Sequence, residues 1–159
     1  MSGDVRVFNR QRGRAVDTRL LRRMARSLLE ETMGLEEFDL AIQLVGVRAM
    51  AKLNQLHLHH KGPTDVITLD YAAFGPESGL AGEIIVCVDV AAEQARRFRV
   101  TWQAELTRYV IHGILHLRGH DDQDAAGRRR MKREEGWLLK KVGGHFHLSK
   151  LSRKTKVSA

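Results

Sequence analysis

Hydrophobic residues recur at two different spacings along this chain, and together these spacings predict a domain that contains both strands and helices. Apolar residues that alternate with polar ones, or form short runs, predict strands at about 5–8, 39–45, 66–71 and 83–88. Apolar residues spaced three and four apart predict helices at about 17–33, 48–57, 89–98, 101–118 and 125–141. Because the 83–88 segment is almost continuously apolar, we expect it to be a central strand.

The order of these elements predicts a single α+β domain, in which five or so helices pack against one mixed sheet of about four strands. Residues 1–142 are expected to form this domain. Residues 143–159 are polar and basic, and they are expected to form a flexible tail. The last helix is expected to turn Met131, Trp137 and Leu138 towards the core.

The composition of the chain indicates whether it can form a core and in which cellular compartment it works. The chain has 159 residues, of which 43% are hydrophobic, and this is enough for one core. Its single cysteine, Cys87, excludes an internal disulfide and is expected to be a buried thiol in a strand. The sequence shows no signal peptide and no apolar run of membrane-spanning length. We therefore expect a cytoplasmic protein with no membrane partner.

The charge of the chain predicts an anionic partner. The formal net charge is +8, and in a cytoplasm the commonest partner of such a protein is nucleic acid. Arg128, Arg129 and Arg130 open a basic run that continues to the C-terminus, and they are candidate phosphate contacts. Aromatic residues make up only 6% of the chain, so the contacts to nucleic acid are expected to be mostly electrostatic.

The helix predicted at 101–118 carries a candidate metal site. His112 and His116 stand four residues apart, so they project from one face of a helix, one turn apart. Two imidazoles at this separation can hold one metal ion. The histidines share a narrow polar strip with Glu105 and Arg108, and the other sides of the helix are apolar. We expect this strip to face a cleft.

A turn after the helix can supply a third ligand. Gly119 can end the helix, because glycine adopts the left-handed conformation without a steric penalty. The candidates for the third ligand are His120, Asp121 and Asp122. We expect Asp122, since one residue after Gly119 gives His120 too little length to return over the imidazoles. The prediction is one zinc ion per chain on His112, His116 and Asp122.

The segment 57–65 contains further candidate residues. Its three histidines could bind a second metal, but contacts to phosphate are the favoured interpretation. The candidates for these contacts are His59, His60 and Lys61. Asp65 and Glu83 are weaker candidates for lining the cleft.

The helix also invites comparison with the metzincin peptidases, whose pattern is His-Glu-x-x-His-x-x-Gly-x-x-His. The spacing matches at His112, His116, Gly119 and position 122. However, Gly113 stands where a peptidase of this type carries the glutamate that acts as general base. The metal helix is therefore metzincin-like in spacing, and peptide hydrolysis is disfavoured.

The same stretch resembles the signature of the YbeY family, the bacterial ribosomal-RNA maturation endoribonucleases. That signature has glycine after the first histidine, and a His-Leu-x-Gly-x-Asp core that matches His116, Leu117, Gly119 and Asp121. The blocks at 53–54, 63–68 and 82–87 also resemble the family. The resemblance spans about residues 5–140.

The resemblance implies a zinc-dependent endoribonuclease, specific for single strands, that acts on precursor rRNA. It implies a role in 16S rRNA 3′-end maturation and ribosome quality control, with the small ribosomal subunit and its assembly factors as partners. We assign catalytic roles to His112 and to Asp121, which is expected to orient a ligand. A hydrogen bond at the helix end is the alternative role for Asp121.

Two departures from the family pattern bear on catalysis. The third ligand of the family is usually histidine, whereas an aspartate at position 122 leaves a metal-bound water less acidic. The family usually carries an arginine at the position of Leu58, which cannot contact phosphate. The alternative function is therefore a non-catalytic ribosome-assembly factor, with a structural zinc and an RNA-binding surface.

Overall fold

The computed structural model of this chain describes residues 3–57, 66–72, 79–120 and 122–152. Its elements follow the predicted order, and the predicted α+β fold is confirmed. They are β1 (Asp4–Asn9), α1 (Thr18–Ser27) continued by a π-helix (Leu28–Thr32), β2 (Phe38–Val45), α2 (Val47–His57), β3 (Val66–Asp70), β4 (Leu80–Cys87), α3 (Val88–Phe98), α4 (Trp102–Leu117), α5 (Ala125–His145) and a 3₁₀-helix (Leu148–Ser152).

The four strands form one mixed sheet in the order β1-β2-β4-β3. β1 pairs with β2 and β2 with β4 in parallel, whereas β3 runs antiparallel to β4. β4 is thus an inner strand with seven of its eight residues buried, as its continuous apolar run predicted. β3 is the edge strand at the end of the sheet that α4 also contacts.

The two faces of the sheet are covered unequally. One face packs against α1 and α4 and forms the main core, which includes Leu40, Ile42 and Ile84. The other face carries a smaller cluster beneath α2, which includes Met50 and the predicted buried thiol Cys87. The main core therefore lies between the sheet and the helix that carries the histidine pair.

Gly113 sets the distance between α4 and the sheet. A Cβ atom at this position would lie 2.8 Å from side-chain atoms of Ile84, which is itself fully buried in β4. Real carbon atoms do not approach so closely without displacing one another. The backbone of α4 therefore rests directly on Ile84, and this contact holds the helix at a fixed height above the sheet.

Side chains define where three of the helices begin. Asp17, Thr101 and Asp124 each accept a hydrogen bond from the backbone N–H three residues further on, at 3.1, 3.1 and 2.6 Å. These caps satisfy donors that have no partner within the helix. They fix the start of α4 and of α5, the two helices that flank the candidate metal site.

Three features differ from the predictions. The predicted helix at 17–33 is an α-helix only to Ser27, after which the chain widens into the π-helix. Trp137 was expected in the core but is 51% exposed, because the neighbouring positions Glu135 and Leu138 occupy the inner face of α5. The third difference is the position at which the packed domain ends near the C-terminus.

The packed chain extends beyond the predicted domain end at 142. Helix α5 continues to His145, and the following 3₁₀-helix buries Leu151 completely. The backbone carbonyl of Leu151 also accepts a hydrogen bond of 2.8 Å from the N–H of Asp17. Phe146 and Leu148 pack against the same core as Leu151 and help to hold residues 143–152 against the domain, and the rest of the predicted tail lies outside the described residues. Among the helices in the described ranges, none has both the length and the apolar character needed to cross a membrane.

The Gly113→Ala substitution tests the close approach of α4 to the sheet. We expect the free energy of unfolding to fall by about 1–3 kcal/mol, because the added methyl group has no space beside Ile84. Urea denaturation measures the change. The matched control is Gly136→Ala in α5, where a Cβ would meet nothing within 4 Å. That control should gain up to about 1 kcal/mol from helix propensity, and equal effects of the two substitutions would contradict the packing argument.

Candidate metal centre

The end of α4 is a turn that reverses the chain. The N–H of Gly119 donates to the carbonyl of His116 at 3.0 Å, and the N–H of His120 donates to the carbonyl of Leu115 at 3.0 Å. Gly119 has a φ of +94°, a conformation that favours glycine. This is the hydrogen-bond pattern of a Schellman motif, and it confirms the prediction that Gly119 ends the helix and turns the chain back.

The turn brings Asp122 close to both histidines. The Nε2 atoms of His112 and His116 lie 3.1 Å apart, and Oδ2 of Asp122 lies 3.7 and 3.6 Å from them. Among the described residues, these three form the group of His, Cys, Asp or Glu that could hold one metal ion. His120 does not belong to this group. The structure therefore brings together the three residues predicted as ligands, and their binding of a metal stays a prediction.

The size of this group suits zinc. Tetrahedral zinc with ligand distances of about 2.0–2.1 Å places its ligand atoms about 3.3–3.4 Å apart. The observed separations of 3.1–3.7 Å lie on both sides of this value. All three side chains are partly exposed, so the group is open on one side, where a water molecule or a phosphate oxygen could approach.

A buried carboxylate on α5 orients the first histidine. Oε2 of Glu135 lies 2.6 Å from Nδ1 of His112, and the side chain of Glu135 is 4% exposed. Because a carboxylate accepts hydrogen bonds, Nδ1 carries the proton, and Nε2 is left with a lone pair that faces Asp122 and His116. A carboxylate behind a ligating histidine is the usual arrangement of protein metal sites, and it fixes the orientation of the ring.

Glu135 was not among the predicted site residues, although the sequence contains a signal for it. Glu135 follows Met131 by four residues and precedes Leu138 by three, so it occupies an inner position of an otherwise apolar stripe. An acidic residue at such a position needs a buried partner. The identity of that partner could not be predicted, because it depends on how α5 packs across α4.

Glu135 belongs to a buried ionic network. Its Oε1 accepts a hydrogen bond of 2.8 Å from Arg108, whose guanidinium also donates two hydrogen bonds to Glu105 at 2.8 and 2.7 Å. The hydrogen bond to Glu105 is the main reason why the pKa of Arg108 lies above its ordinary value. Arg108 therefore stays cationic and offsets part of the charge of the two buried carboxylates. The predicted polar strip of α4 is this network continued by the histidine pair.

Glu83 does not line the cleft, contrary to expectation. Its neighbours in β4, Gly82 and Ile84, face α4, so the alternation of a strand turns Glu83 to the opposite face of the sheet. There it accepts hydrogen bonds from Gln43 and from Tyr71, the latter at 3.1 Å. Burial and the contact with Glu83 raise the pKa of Tyr71 above its ordinary value. Tyr71 and Glu83 border a groove of about 380 Å³, and no residue of α4 lines it.

The remaining predicted residues fall into two groups. Arg128, Arg129 and Arg130 are exposed in the first turns of α5, shortly after Asp122. Those that lie outside the described residues are Leu58, His59, His60, Lys61, Asp65 and Asp121.

The fold and the site define a class of protein, namely an α+β domain with a candidate mononuclear metal centre on a helix packed against its sheet. A family model described as Endoribonuclease YbeY matches residues 6–143. This chain belongs to that family, as the resemblance of its motifs indicated.

Individual relatives agree with this assignment. The protein named Endoribonuclease YbeY from Chlorobium luteolum is 36% identical over 126 residues, which cover 79% of this chain and 89% of the relative. The protein of the same name from Chlorobium limicola is 34% identical over 135 residues, which cover 85% and 90%. The solution structure of TM1509 from Thermotoga maritima is similar with a TM-score of 0.64 and 26% identity, and the match covers 98% of this chain and all of that one.

Two substitutions distinguish Asp122 from His120 as the third ligand. We expect Asp122→Ala to weaken zinc binding severely, since it removes the anion that faces both imidazoles. His120→Ala should weaken it much less, and Asp122→His should retain the metal. Zinc affinity is measured by competition with a chromogenic chelator. Loss of zinc from His120→Ala but not from Asp122→Ala would show that this assignment is wrong.

A further substitution tests the role of Glu135. Glu135→Gln keeps the size of the side chain but can present its amide NH₂ to Nδ1 of His112, so we expect zinc affinity to fall about 10–100-fold. The control is Glu134→Gln, which removes the same charge from an exposed neighbouring position. Nitrogen-15 NMR of the metal-free protein should detect a change in the His112 tautomer in the first variant only. Identical zinc affinities in both variants would contradict an orienting role.

Proposed function

We propose that this chain is a zinc-dependent endoribonuclease that cleaves single-stranded RNA. The observation that carries the proposal is the arrangement of His112, His116 and Asp122, which fits one zinc ion in a chain of this family. The relatives are named endoribonucleases, and the proposal extends that activity to this chain.

A zinc ion bound by this group would supply a Lewis acid that polarises a phosphoryl oxygen and lowers the pKa of a water molecule towards about 7. The protein contributes the orientation of the ligands. One carboxylate oxygen of Glu135 fixes the ring of His112. The other oxygen accepts a hydrogen bond from Arg108, which holds Glu135 in place. Because Asp122 is an anion, it would leave the centre less electropositive than a third histidine does.

RNA is favoured over peptide as the substrate for two reasons. Gly113 carries no general base, and Ile84 fills the space that a longer side chain would need. In addition, α5 carries seven lysines and arginines and two glutamates, one of them Glu135. The surface next to the candidate centre therefore suits a polyanion. His59, His60 and Lys61 are proposed as further RNA contacts, and Asp121 is proposed to orient a ligand.

The biological role proposed is that implied by the family motifs. The substrate would be precursor rRNA, cleaved during 16S rRNA 3′-end maturation and ribosome quality control. The partners would be the small ribosomal subunit and its assembly factors, and the location the cytoplasm.

One observation favours a second candidate function. Leu58 stands where the family usually carries an arginine linked to cleavage, and leucine cannot contact a phosphate. The chain would then be a non-catalytic assembly factor, in which the metal has a structural role. Turnover of a defined RNA distinguishes the two functions, since both require a metal and both require RNA binding.

A cleavage assay tests the proposed activity. Purified protein should cut a single-stranded RNA but not its duplex or a peptide, and a chelator should stop cleavage until zinc is added back. His112→Ala should abolish cleavage and zinc binding together. The control His145→Ala changes an exposed histidine at the end of α5 and should have no effect.

The salt dependence of binding provides an independent check. RNA affinity should fall steeply between about 50 and 200 mM salt, because each neutralised phosphate releases counterions. Binding without cleavage would favour the assembly factor, and affinity that is insensitive to salt would contradict both functions.

A further inference from the structure

The outer face of α5 carries an exposed tryptophan within a row of cations. Residues spaced four apart share one side of a helix, and on this side all of them are exposed. We call these residues the outer stripe, and they are Arg129, Arg133, Trp137 and Lys141. Trp137 is 51% exposed, and the ammonium of Lys141 lies 5.2 Å from the centre of its ring.

The outer stripe is not part of the candidate metal centre. Glu135, which contacts His112, is two residues from Trp137, and two residues correspond to about 200° around a helix. The stripe therefore points away from the histidines. It starts at Arg129, however, only seven residues after Asp122, so the two surfaces lie at neighbouring positions along the chain.

Among the described residues, no carboxylate is paired with the cations of the outer stripe. In the described part of the chain, Arg129, Arg133 and Lys141 form no salt bridge with a carboxylate. Glu134 is the exposed carboxylate of α5, and it is outnumbered by the seven basic residues of the helix. These charges are thus available to a polyanion.

An aromatic ring among cations matches the chemistry of a single-stranded nucleic acid. Bases stack on exposed aromatic rings, and the neighbouring cations contact the phosphates on either side. An acidic protein would pair its carboxylates with the cations, but this pairing does not require an aromatic ring. A duplex would bury its bases and leave the ring without a stacking partner.

We propose that the outer stripe is a second RNA-binding surface, on which one base stacks on Trp137 and the flanking phosphates contact its cations. The proposal rests on the proposed function, since RNA is the substrate there. It goes further by assigning RNA binding to a face that the metal centre does not use. The stripe anchors a part of the RNA that is not being cleaved, so it affects affinity and leaves the chemical step unchanged.

Tryptophan fluorescence tests the stacking contact directly. The chain has two tryptophans, and Trp102→Phe leaves Trp137 as the reporter. We expect a single-stranded oligouridylate of about ten nucleotides to quench this emission in rapid mixing, before any cleavage. Inorganic polyphosphate has the charges but no bases, and it should bind without the same quenching. Quenching by polyphosphate to the same extent would overturn the stacking assignment.

Substitutions test the contribution to affinity. Trp137→Ala should weaken binding of the oligouridylate roughly tenfold, the effect of losing one stacked base, whereas Trp137→Phe should retain most of the affinity. In the cleavage reaction, Trp137→Ala should raise KM by a similar factor and leave kcat unchanged. Arg133→Gln should reduce the slope of log affinity against log salt by about one.

The matched control is Phe98→Ala on α3, which removes another exposed aromatic residue between two arginines. It should leave RNA affinity unchanged, and equal losses from Phe98→Ala and Trp137→Ala would overturn the assignment to α5. Normal RNA affinity in Trp137→Ala would also overturn it, and an acidic protein would then be the partner to test. If the protein binds RNA through Trp137 without cleaving it, the proposed catalysis fails while this inference stands.

Discussion

The carboxylate of Glu135 joins the two helices on which the candidate metal centre depends. One oxygen holds the imidazole of His112 and the other holds the guanidinium of Arg108, so α4 and α5 are tied at a buried point. Burying two carboxylates against one arginine leaves an excess of negative charge, which is unfavourable without a compensating cation. A divalent ion beside His112 would supply that compensation. The network therefore suits metal binding electrostatically as well as geometrically.

The sheet gives this arrangement its rigidity. Gly113 allows α4 to lie directly on Ile84, and the turn at Gly119 then returns Asp122 to the same side as the histidines. Each glycine serves a different need, since the first removes a side chain and the second permits a positive φ. Movement of α4 relative to α5 would change the contact between His112 and Glu135. A site held by a helix on a buried sheet is less mobile than one built from loops alone.

Much of the fold and part of the site could be predicted because they depend on local sequence. The strand and helix periods, the His112–His116 spacing and the stop at Gly119 all act within a few residues of one another. Glu135, Trp137 and Glu83 could not be placed in this way. Their positions depend on how α5 crosses α4 and on which face of β4 meets the helix, and hydrophobicity alone assigned Trp137 to the core wrongly. Periodicity identifies an inner stripe, but it does not tell which of two adjacent residues lies at its centre.

The inner face of α5 contributes Glu135 to the candidate metal centre, whereas its outer face carries the cations that would attract RNA. Near the metal group, the carboxylates of Asp122, Glu135 and Glu105 outnumber Arg108, the cation paired with two of them, so these side chains would repel a phosphate until a divalent ion compensates their charge. Many of the basic residues that give the chain its net charge of +8 lie at exposed positions of α5. A polyanion would thus be attracted to the helix as a whole before any phosphate enters the acidic centre. Since Coulomb attraction falls off within about 10 Å at moderate salt, cations must lie close to the centre to have this effect, and α5 provides them from the residues that follow Asp122.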